Sequence, residues 1–506
     1  MKYKVVEPNK LSVVHVVSEF FPYSKTGGLA DAVAALIKSL AKQSINLSVF
    51  LPLFGKITPQ LGNYSSLIRD LPIEIDNSES LTCSCVHKTL KVNGAYHINL
   101  YFVEHYNFFG RYTKNIYSQK NLSRRFYFFN LAALQLMKKL ELNPDIIHCH
   151  DWMPALIPQI IKNNPKKYFV NDPKTLLTIH NLAFQGSAIV NGDRVNRKVT
   201  LKDNTQLPAF KDNNWNRVNF LERGIRYADS INTVSINYAK EILTKEYGEN
   251  LEKILIKRKP IVGITNGIDH KSFDPENSHY LYHNFNSANE GLYKPKNKFK
   301  FLKKLQFSKD RLDKPLIVTA QRITDQKGFD LIVRIIPEIL AKDINLVILG
   351  EGDKIYEKLL NNFLEIYPDR LRFLNFMNER TEHRLDAAAD YILVPSRYEP
   401  CGTSHMKAMR YGVVPIARKV GGLADTIAEY DELKQSGTGF LFINLTKEDM
   451  LNSIDKALQI RKEKDNWNDL IKRNMSQSFT WEQPALQYLH LYEKMLKVKV
   501  EQINLE

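Results

Sequence analysis

The residues of this 506-residue chain that could do chemistry fall in a few short stretches. Two of them nearly coincide: KTGGLAD at residues 25–31 and KVGGLAD at residues 419–425. In each, a lysine precedes a glycine pair, and Leu-Ala-Asp then opens a helix. Gly27 and Gly28, or Gly421 and Gly422, let the backbone approach a ligand closely, while the helix behind aims free N–H groups and its positive dipole end at an anion or polar oxygen. Lys25 adds a formal charge, and Asp31 closes the motif. Two copies suggest a ligand with one end on each. For either copy alone, a close strand-to-helix turn is an equally good account. Neither fits G-x-G-x-x-G or G-x-x-x-x-G-K-[ST], which weakens a dinucleotide or P-loop reading.

HCHD at residues 148–151 sets two imidazoles at i, i+2 on one face of a strand, beside Cys149 and Asp151. These are zinc-type donors, yet no second cluster completes a site, and Cys83-Ser84-Cys85 is as isolated. We expect no metal. His180 ends the apolar run TLLTIH, where a lone histidine is more often a hydrogen-bonded structural residue than a catalytic one. Asn266 sits in an Asn-Gly pair, a turn former first. Arg322 and Lys327 flank a turn in QRITDQKG; an arbitrary basic pair at such a turn is by default solvated.

The elements that must position these residues alternate regularly. Strand-like runs are VVHVV (13–17), LSVFLP (47–52), DIIHCHD (145–151), TLLTIH (175–180) and SINTVS (230–235), then LIVTAQR (316–322), NLVILGEGD (345–353), YILVPS (391–396) and VVPIAR (413–418). Between them, Val33, Leu36, Ile37 and Leu40, or Phe329, Ile332, Ile335, Ile336 and Ile339, fall on one face of a 3.6-residue period. This predicts α/β domains with parallel sheets covered on both faces, whose ligands sit outside the carboxyl ends of strands. The polar, Asn- and Lys-rich segment 278–298 marks a break between halves.

Bulk composition sets the outer limits. The length exceeds the ~250–300 residues at which single cores stop growing, so two or three domains are expected. With 43% apolar and 25% charged residues the chain is an ordinary globular protein. Four cysteines are too few for a disulfide framework and favour a reducing compartment. No cleavable leader or membrane-length apolar run is evident, which reads as cytoplasmic with no membrane partner. The net charge of +16 is spread over short patches such as KPKNKFKFLKK (294–304), without a nucleic-acid-binding motif, so solvated basic faces are expected and no nucleic-acid partner.

Taken together, KTGGLAD, HCHDW (148–152), TIHNLAFQG (178–186), ADSINTVSINYAKEI (228–242), TNGID (265–269), QRITDQKG (321–328), PSRYEPCG (395–402), GGLADT (421–426) and FTWEQPA (479–485) resemble the bacterial glycogen synthase and plant starch synthase family in order and spacing, over almost the whole chain. The resemblance implies a GT-B architecture, two Rossmann-like doubly wound parallel-sheet domains facing an interdomain cleft. It implies residues 1–262 as the acceptor-side domain, 263–476 as the nucleotide-sugar domain, and 477–506 as a C-terminal helix returning to the first. It further implies retaining transfer of glucose from ADP-glucose or UDP-glucose to the non-reducing end of an α-1,4-glucan, without metal or cofactor.

Residue by residue, the resemblance makes Arg322 and Lys327 the diphosphate clamp and Glu399 the reader of the glucose hydroxyls. His180 and Asp151 then lie against the sugar. Lys25, Gly27, Gly28, Asp31, Asn266, Cys401, Gly402, Thr403, Ser404, Gly421 and Gly422 line the substrate. The family usually reads Leu-Thr-Gln-Leu-Tyr after EPCG, where this chain has Thr403, Ser404, His405, Met406 and Lys407. Such changes are expected near the donor's ribose and base. Glu222 stands where lysine is commoner. The rival readings are another GT-B transferase with a small acceptor, or a non-catalytic glucan- or nucleotide-binding relative.

Overall fold

A computed structural model describes residues 4–6, 11–43, 45–55, 57, 61, 64–76, 79–112, 116–117, 122–189, 217–376 and 378–500. The chain forms two compact units: Met1–Val234 with Ala239–Ile264 and Trp481–Glu506, and Ser235–Tyr238 with Thr265–Thr480. Among the described residues no helix is long and apolar enough to cross a membrane.

The first unit carries strands β1 (Lys4–Val6), β2 (Ser12–Val16), β3 (Asn46–Pro52), β4 (Ser65–Asp76), β5 (Glu79–Val92), β6 (Tyr96–Glu104), β7 (Ile146–His150), β8 (Lys174–Ile179), β9 (Ser187–Ile189), β10 (Arg217–Asn219), β11 (Ser230–Thr233) and β12 (Val262–Gly263). Nine of these form one sheet in the order β12-β11-β8-β7-β2-β3-β6-β5-β4. Pairing is parallel from β12 to β6 and antiparallel for β5 and β4. The parallel strands are nearly continuous apolar runs because helices cover both faces, and every residue of β7 is buried.

The second unit holds β13 (Leu316–Ala320), β14 (Asn345–Leu349), β15 (Leu371–Leu374), β16 (Tyr391–Val394), β17 (Val414–Arg418) and β18 (Phe440–Phe442) in a parallel sheet ordered β15-β14-β13-β16-β17-β18. Counted within the unit this is 3-2-1-4-5-6, the order of doubly wound nucleotide-binding sheets. The parallel strands of the first unit repeat it, since β6-β3-β2-β7-β8-β11 is also 3-2-1-4-5-6. Helix Phe329–Leu340 follows the expected period, burying Phe329, Ile332, Ile335, Ile336 and Ile339 against the sheet, each contributing ~1.5–3 kcal/mol.

The break expected at 278–298 is not found there; the segment lies inside the second unit. Nor is its basic run wholly a solvated face. Helix Glu290–Lys304 buries Lys294, Lys298, Phe301 and Leu302. Lys294 Nζ donates to the carbonyls of Asp386 (3.2 Å) and Tyr411 (2.9 Å), and Lys298 pairs with Asp390 at 2.5 Å. Hydrogen bonds and an opposite charge are what allow an ammonium to stay buried.

Strand β19 (Val498–Val500) pairs in parallel with β1, and the preceding helix, Glu482–Leu496, packs on the first unit. Asn232 Nδ2 donates to Tyr488 Oη at 2.9 Å, Tyr492 Oη lies 2.8 Å from His148 Nδ1, and Ser39 Oγ donates to the Trp481 carbonyl at 3.2 Å. The chain's end thus completes the polar interior beneath β7 and β11.

Candidate active site

In the second unit the strand order reverses between β13 and β16, so the loops leaving their carboxyl ends run to opposite sides and open a crevice. The β13 loop carries Arg322 and, at the end of the short turn Asp325–Lys327, Lys327. The β16 loop carries Glu399, Cys401 and Gly402. The loops are tied by the Arg397 amide donating to the Gln326 carbonyl at 2.8 Å. Across them, the Lys327 ammonium pairs with the Glu399 carboxylate, which also accepts the Ser396 hydroxyl at 2.9 Å. The two side chains are only 14% and 5% exposed. Arg322 is the opposite case: exposed, its guanidinium has no partner among the described residues.

The loop after β17 wraps this pair closely. Gly421 has φ +44°, and a Cβ there would lie 1.8 Å from the Glu399 carbonyl oxygen; one on Gly422 would lie 2.3 Å from that of Cys401. Only glycine fits. Cys401 is buried, and burial pushes its thiol up to about 12, opposed by the Asn266 backbone amide facing the sulfur. That environment suppresses a nucleophilic thiolate and brings Asn266 beside the β16 loop.

Past the β16 loop, His405 and Lys407 are engaged inside the unit. Thr403 precedes helix Ser404–Arg410 without a side-chain cap bond. His405 is buried with Nε2 2.6 Å from Thr426 Oγ1, and Thr426 donates to the Gly422 carbonyl, so His405 is the donor. Lys407 pairs with Glu382 at 3.1 Å and lies 4.3 Å from the Phe273 ring centre. Glu222, in the first unit, pairs with Arg226 on its own helix at 2.8 Å.

In the first unit the corresponding reversal lies between β2 and β7. Lys25, Gly27, Gly28 and Asp31 follow β2, Asp151 follows β7, and His180 follows β8. Here the glycine pair opens space instead of filling it: among the described residues, none beyond the chain neighbours and the helix's own backbone comes within 4 Å of a Cβ built on Gly27 or Gly28 at the start of helix Gly28–Ala41. Asp31 pairs with Lys25 at 2.7 Å, whereas Asp425 accepts the Ser235 hydroxyl at 2.6 Å and the Ile236 amide at 2.7 Å. The repeated letters therefore serve unlike geometries, after the first strand of one sheet and the fifth of the other.

Asp151 is held at φ +60° because its Oδ1 accepts the amides of His180 (2.6 Å) and Asn181 (3.2 Å). Burial raises its pKa to about 7, against the pull of those two amides. His15, His148 and His150 form the buried group whose ligand atoms, within 4.8 Å of one another, could hold a metal. Their nitrogens are committed to hydrogen bonds with Tyr492, Thr178, His180 and each other, save Nε2 of His15. Cys83 and Cys85 are buried thiols on β5, both raised to about 12 by burial.

Two contributors escaped the sequence reading. Buried Glu19 accepts the Thr26 amide, the Thr26 hydroxyl (2.7 Å) and the Tyr117 hydroxyl (2.6 Å), fixing the entry to the first glycine pair. Ser396 steadies Glu399. For Glu19 the signal was a carboxylate interrupting an apolar run; Ser396 offered none.

Family-model comparison matches residues 12–257 to the starch synthase catalytic domain and residues 301–473 to glycosyl transferases group 1. The glycogen synthase of Clostridium novyi is 34% identical over 492 residues, covering 96% of this chain and 99% of its own. That of Koribacter versatilis is 35% identical over 498 residues, covering 97% and 99%. Among solved structures, the catalytic domain of starch synthase IV from Arabidopsis thaliana, bound to ADP and acarbose, superposes with a TM-score of 0.84 at 30% identity, over 96% of this chain and 99% of that one.

Two outcomes follow from the charges. Lys327→Ala strands a buried carboxylate and should lower stability by ~3–5 kcal/mol, while Arg322→Ala should change it by less than ~0.5 kcal/mol. Equal urea midpoints for the two variants would contradict the burial argument. Asp151 binds its proton more tightly folded (about 7) than at its ordinary value of 3.8, so its contribution is full below the lower value and lost as pH rises through the higher. Asp151→Asn should therefore gain stability relative to the parent as pH rises from about 4 to about 7, with no further gain above; a pH-independent difference would refute this.

Proposed function

The chain belongs to the glycogen synthase and starch synthase family, and from that premise we propose how its residues carry out the family's glucosyl transfer. It is a glycosyltransferase that uses a nucleotide-sugar donor and a glucan acceptor. We take the donor to be ADP-glucose, with UDP-glucose the competing possibility, and the transfer to retain configuration.

Breaking the bond from C1 to the phosphate oxygen builds negative charge on the leaving diphosphate, so cations fixed there stabilise the transition state more than the ground state. Arg322 supplies an exposed guanidinium with no partner among the described residues. Lys327 supplies an ammonium held ready by Glu399. When the donor binds, its diphosphate takes the ammonium, and its glucose hydroxyls give Glu399 hydrogen bonds to accept in return. By the family resemblance, His180 and Asp151 are taken as further contacts of the sugar. The acceptor 4-hydroxyl enters C1 on the leaving group's side: the C1–O(phosphate) bond breaks, the C1–O4 bond forms, and the hydroxyl proton passes to the departing phosphate oxygen. No protein nucleophile is needed. The carboxylates assigned to the sugar are each engaged within their own unit, Glu399 by Lys327 and Ser396, Asp151 by two backbone amides.

The observation that carries this reading is the exposed Arg322, without a partner among the described residues, on the same β13 loop as Lys327, whose ion pair with Glu399 lies at the strand reversal of the second unit. Incorporation of labelled glucose into glycogen, with ADP-glucose and UDP-glucose in competition, tests donor and acceptor together. Arg322→Ala should lower kcat by ~10²–10³-fold in a folded protein. Near-normal turnover of that variant, or transfer only to small sugars, would overturn the proposal.

A further inference from the structure

The first unit contains a file of imidazoles of which glucosyl transfer as described uses only the last, His180. His15 on β2 and His150 on β7 are buried, and His180 follows β8 on the next strand. Nδ1 of His15 lies 3.0 Å from Nε2 of His150, and Nδ1 of His150 lies 3.0 Å from Nε2 of His180. The first two rings stack at 5.3 Å between centres with 12° between planes.

Burial keeps these rings neutral, lowering His15 and His180 to about 3 and His150 well below its ordinary value. A neutral imidazole has one N–H and one lone pair, so each proton position dictates the next. Two arrangements satisfy both hydrogen bonds. If His180 donates from Nε2, His150 must donate from Nε2 as well, and His15 is left with a buried Nε2–H. If His15 donates from Nδ1, His150 donates from Nδ1, and His180 carries its proton on Nδ1.

Nε2 of His15 has no hydrogen-bond partner among the described residues and is shut off from solvent. The first arrangement strands an N–H there and the second only a lone pair; orphaned buried donors are the rarer outcome in folded proteins. The neighbouring His148 does not alter the count. Thr178 gives its proton to Asn232, so His148 donates from Nε2 to Thr178 and accepts from Tyr492 at Nδ1. Both its nitrogens are spent outside the file.

We propose that His15 and His150 are positioning residues that lock His180 in the Nδ1–H tautomer and fix its ring plane, so that His180 offers the donor sugar a hydrogen-bond donor and not a base. This rests on the placement of His180 against the glucose in the preceding section.

The test uses the full-length protein with ¹⁵N-labelled histidine. Two-bond ¹⁵N–¹H correlation spectra, with His180→Asn for assignment, should show a protonated Nδ1 and a bare Nε2 at His180. A proton on Nε2 overturns the proposal, and this measurement needs no buried substitution. His15→Phe keeps the ring but removes the first donor. It should mix the tautomers of His180 and lower kcat roughly tenfold with little change in donor KM. His15→Asn returns an N–H near the Nδ1 position and should restore both. A His180 tautomer unmoved by His15→Phe overturns the file as a positioning device. Mixed tautomers with unchanged kcat would uphold the file and remove His180 from the glucose, which separates the two readings.

Discussion

The ion pair between Lys327 and Glu399 is the constraint around which the second unit's site is organised. Two nearly buried charges are tolerated only if each has the other, so the loops after β13 and β16 must meet at their tips. The glycines at 421 and 422 have no room for a side chain because the β17 loop must close over the Glu399 and Cys401 backbone at the same point. Ser396 completes the carboxylate's hydrogen bonds. Arg322, left outside this arrangement, keeps its charge available for an anion arriving from solvent.

Both units reach their sites by the same topological means. A 3-2-1-4-5-6 order of parallel strands leaves a reversal beside the first strand, and functional side chains gather at the carboxyl ends there. What differs is the interior beneath. On the second unit's central strands polar residues such as Thr319 and Asn345 are few, and its buried lysines, Lys294 and Lys298, sit on a flanking helix. The first unit carries polarity into the sheet, through His15, His148, His150, Thr178 and Asn232, and covers it with the tyrosines of the C-terminal helix. Such a network specifies one arrangement when every member is satisfied. The single bare nitrogen, on His15, therefore carries information about how the rest are protonated.

Much of this was legible in the amino-acid sequence. Each of the nine strand-like runs lies on an observed strand, because strands buried on both faces are mostly apolar runs. The helix at 329–340 was equally visible from its isoleucines. The long antiparallel strands β4 and β5 were not, since their pairing slips register at three places, and each slip breaks the polar–apolar alternation a half-exposed strand would show. Lysines misled for a different reason. Composition treats lysine as solvated, but Lys294 and Lys298 are buried by partners more than ninety residues away, carbonyls and a carboxylate that no local reading can supply. Glu19 shows the converse: its position inside an apolar run was visible, while its three donors, among them Tyr117, become apparent only in three dimensions. The two glycine doublets looked like one device and proved to be two.

The central claim is that Glu399 holds Lys327 until a diphosphate takes it. Calorimetric titration of ADP into the protein and into Glu399→Gln, at one fixed ionic strength, addresses this without catalysis. ADP lacks the glucose that would engage Glu399, so removing the competing carboxylate charge should tighten ADP binding several-fold. Unchanged or weaker binding by Glu399→Gln would mean that the ammonium is not the group the diphosphate claims.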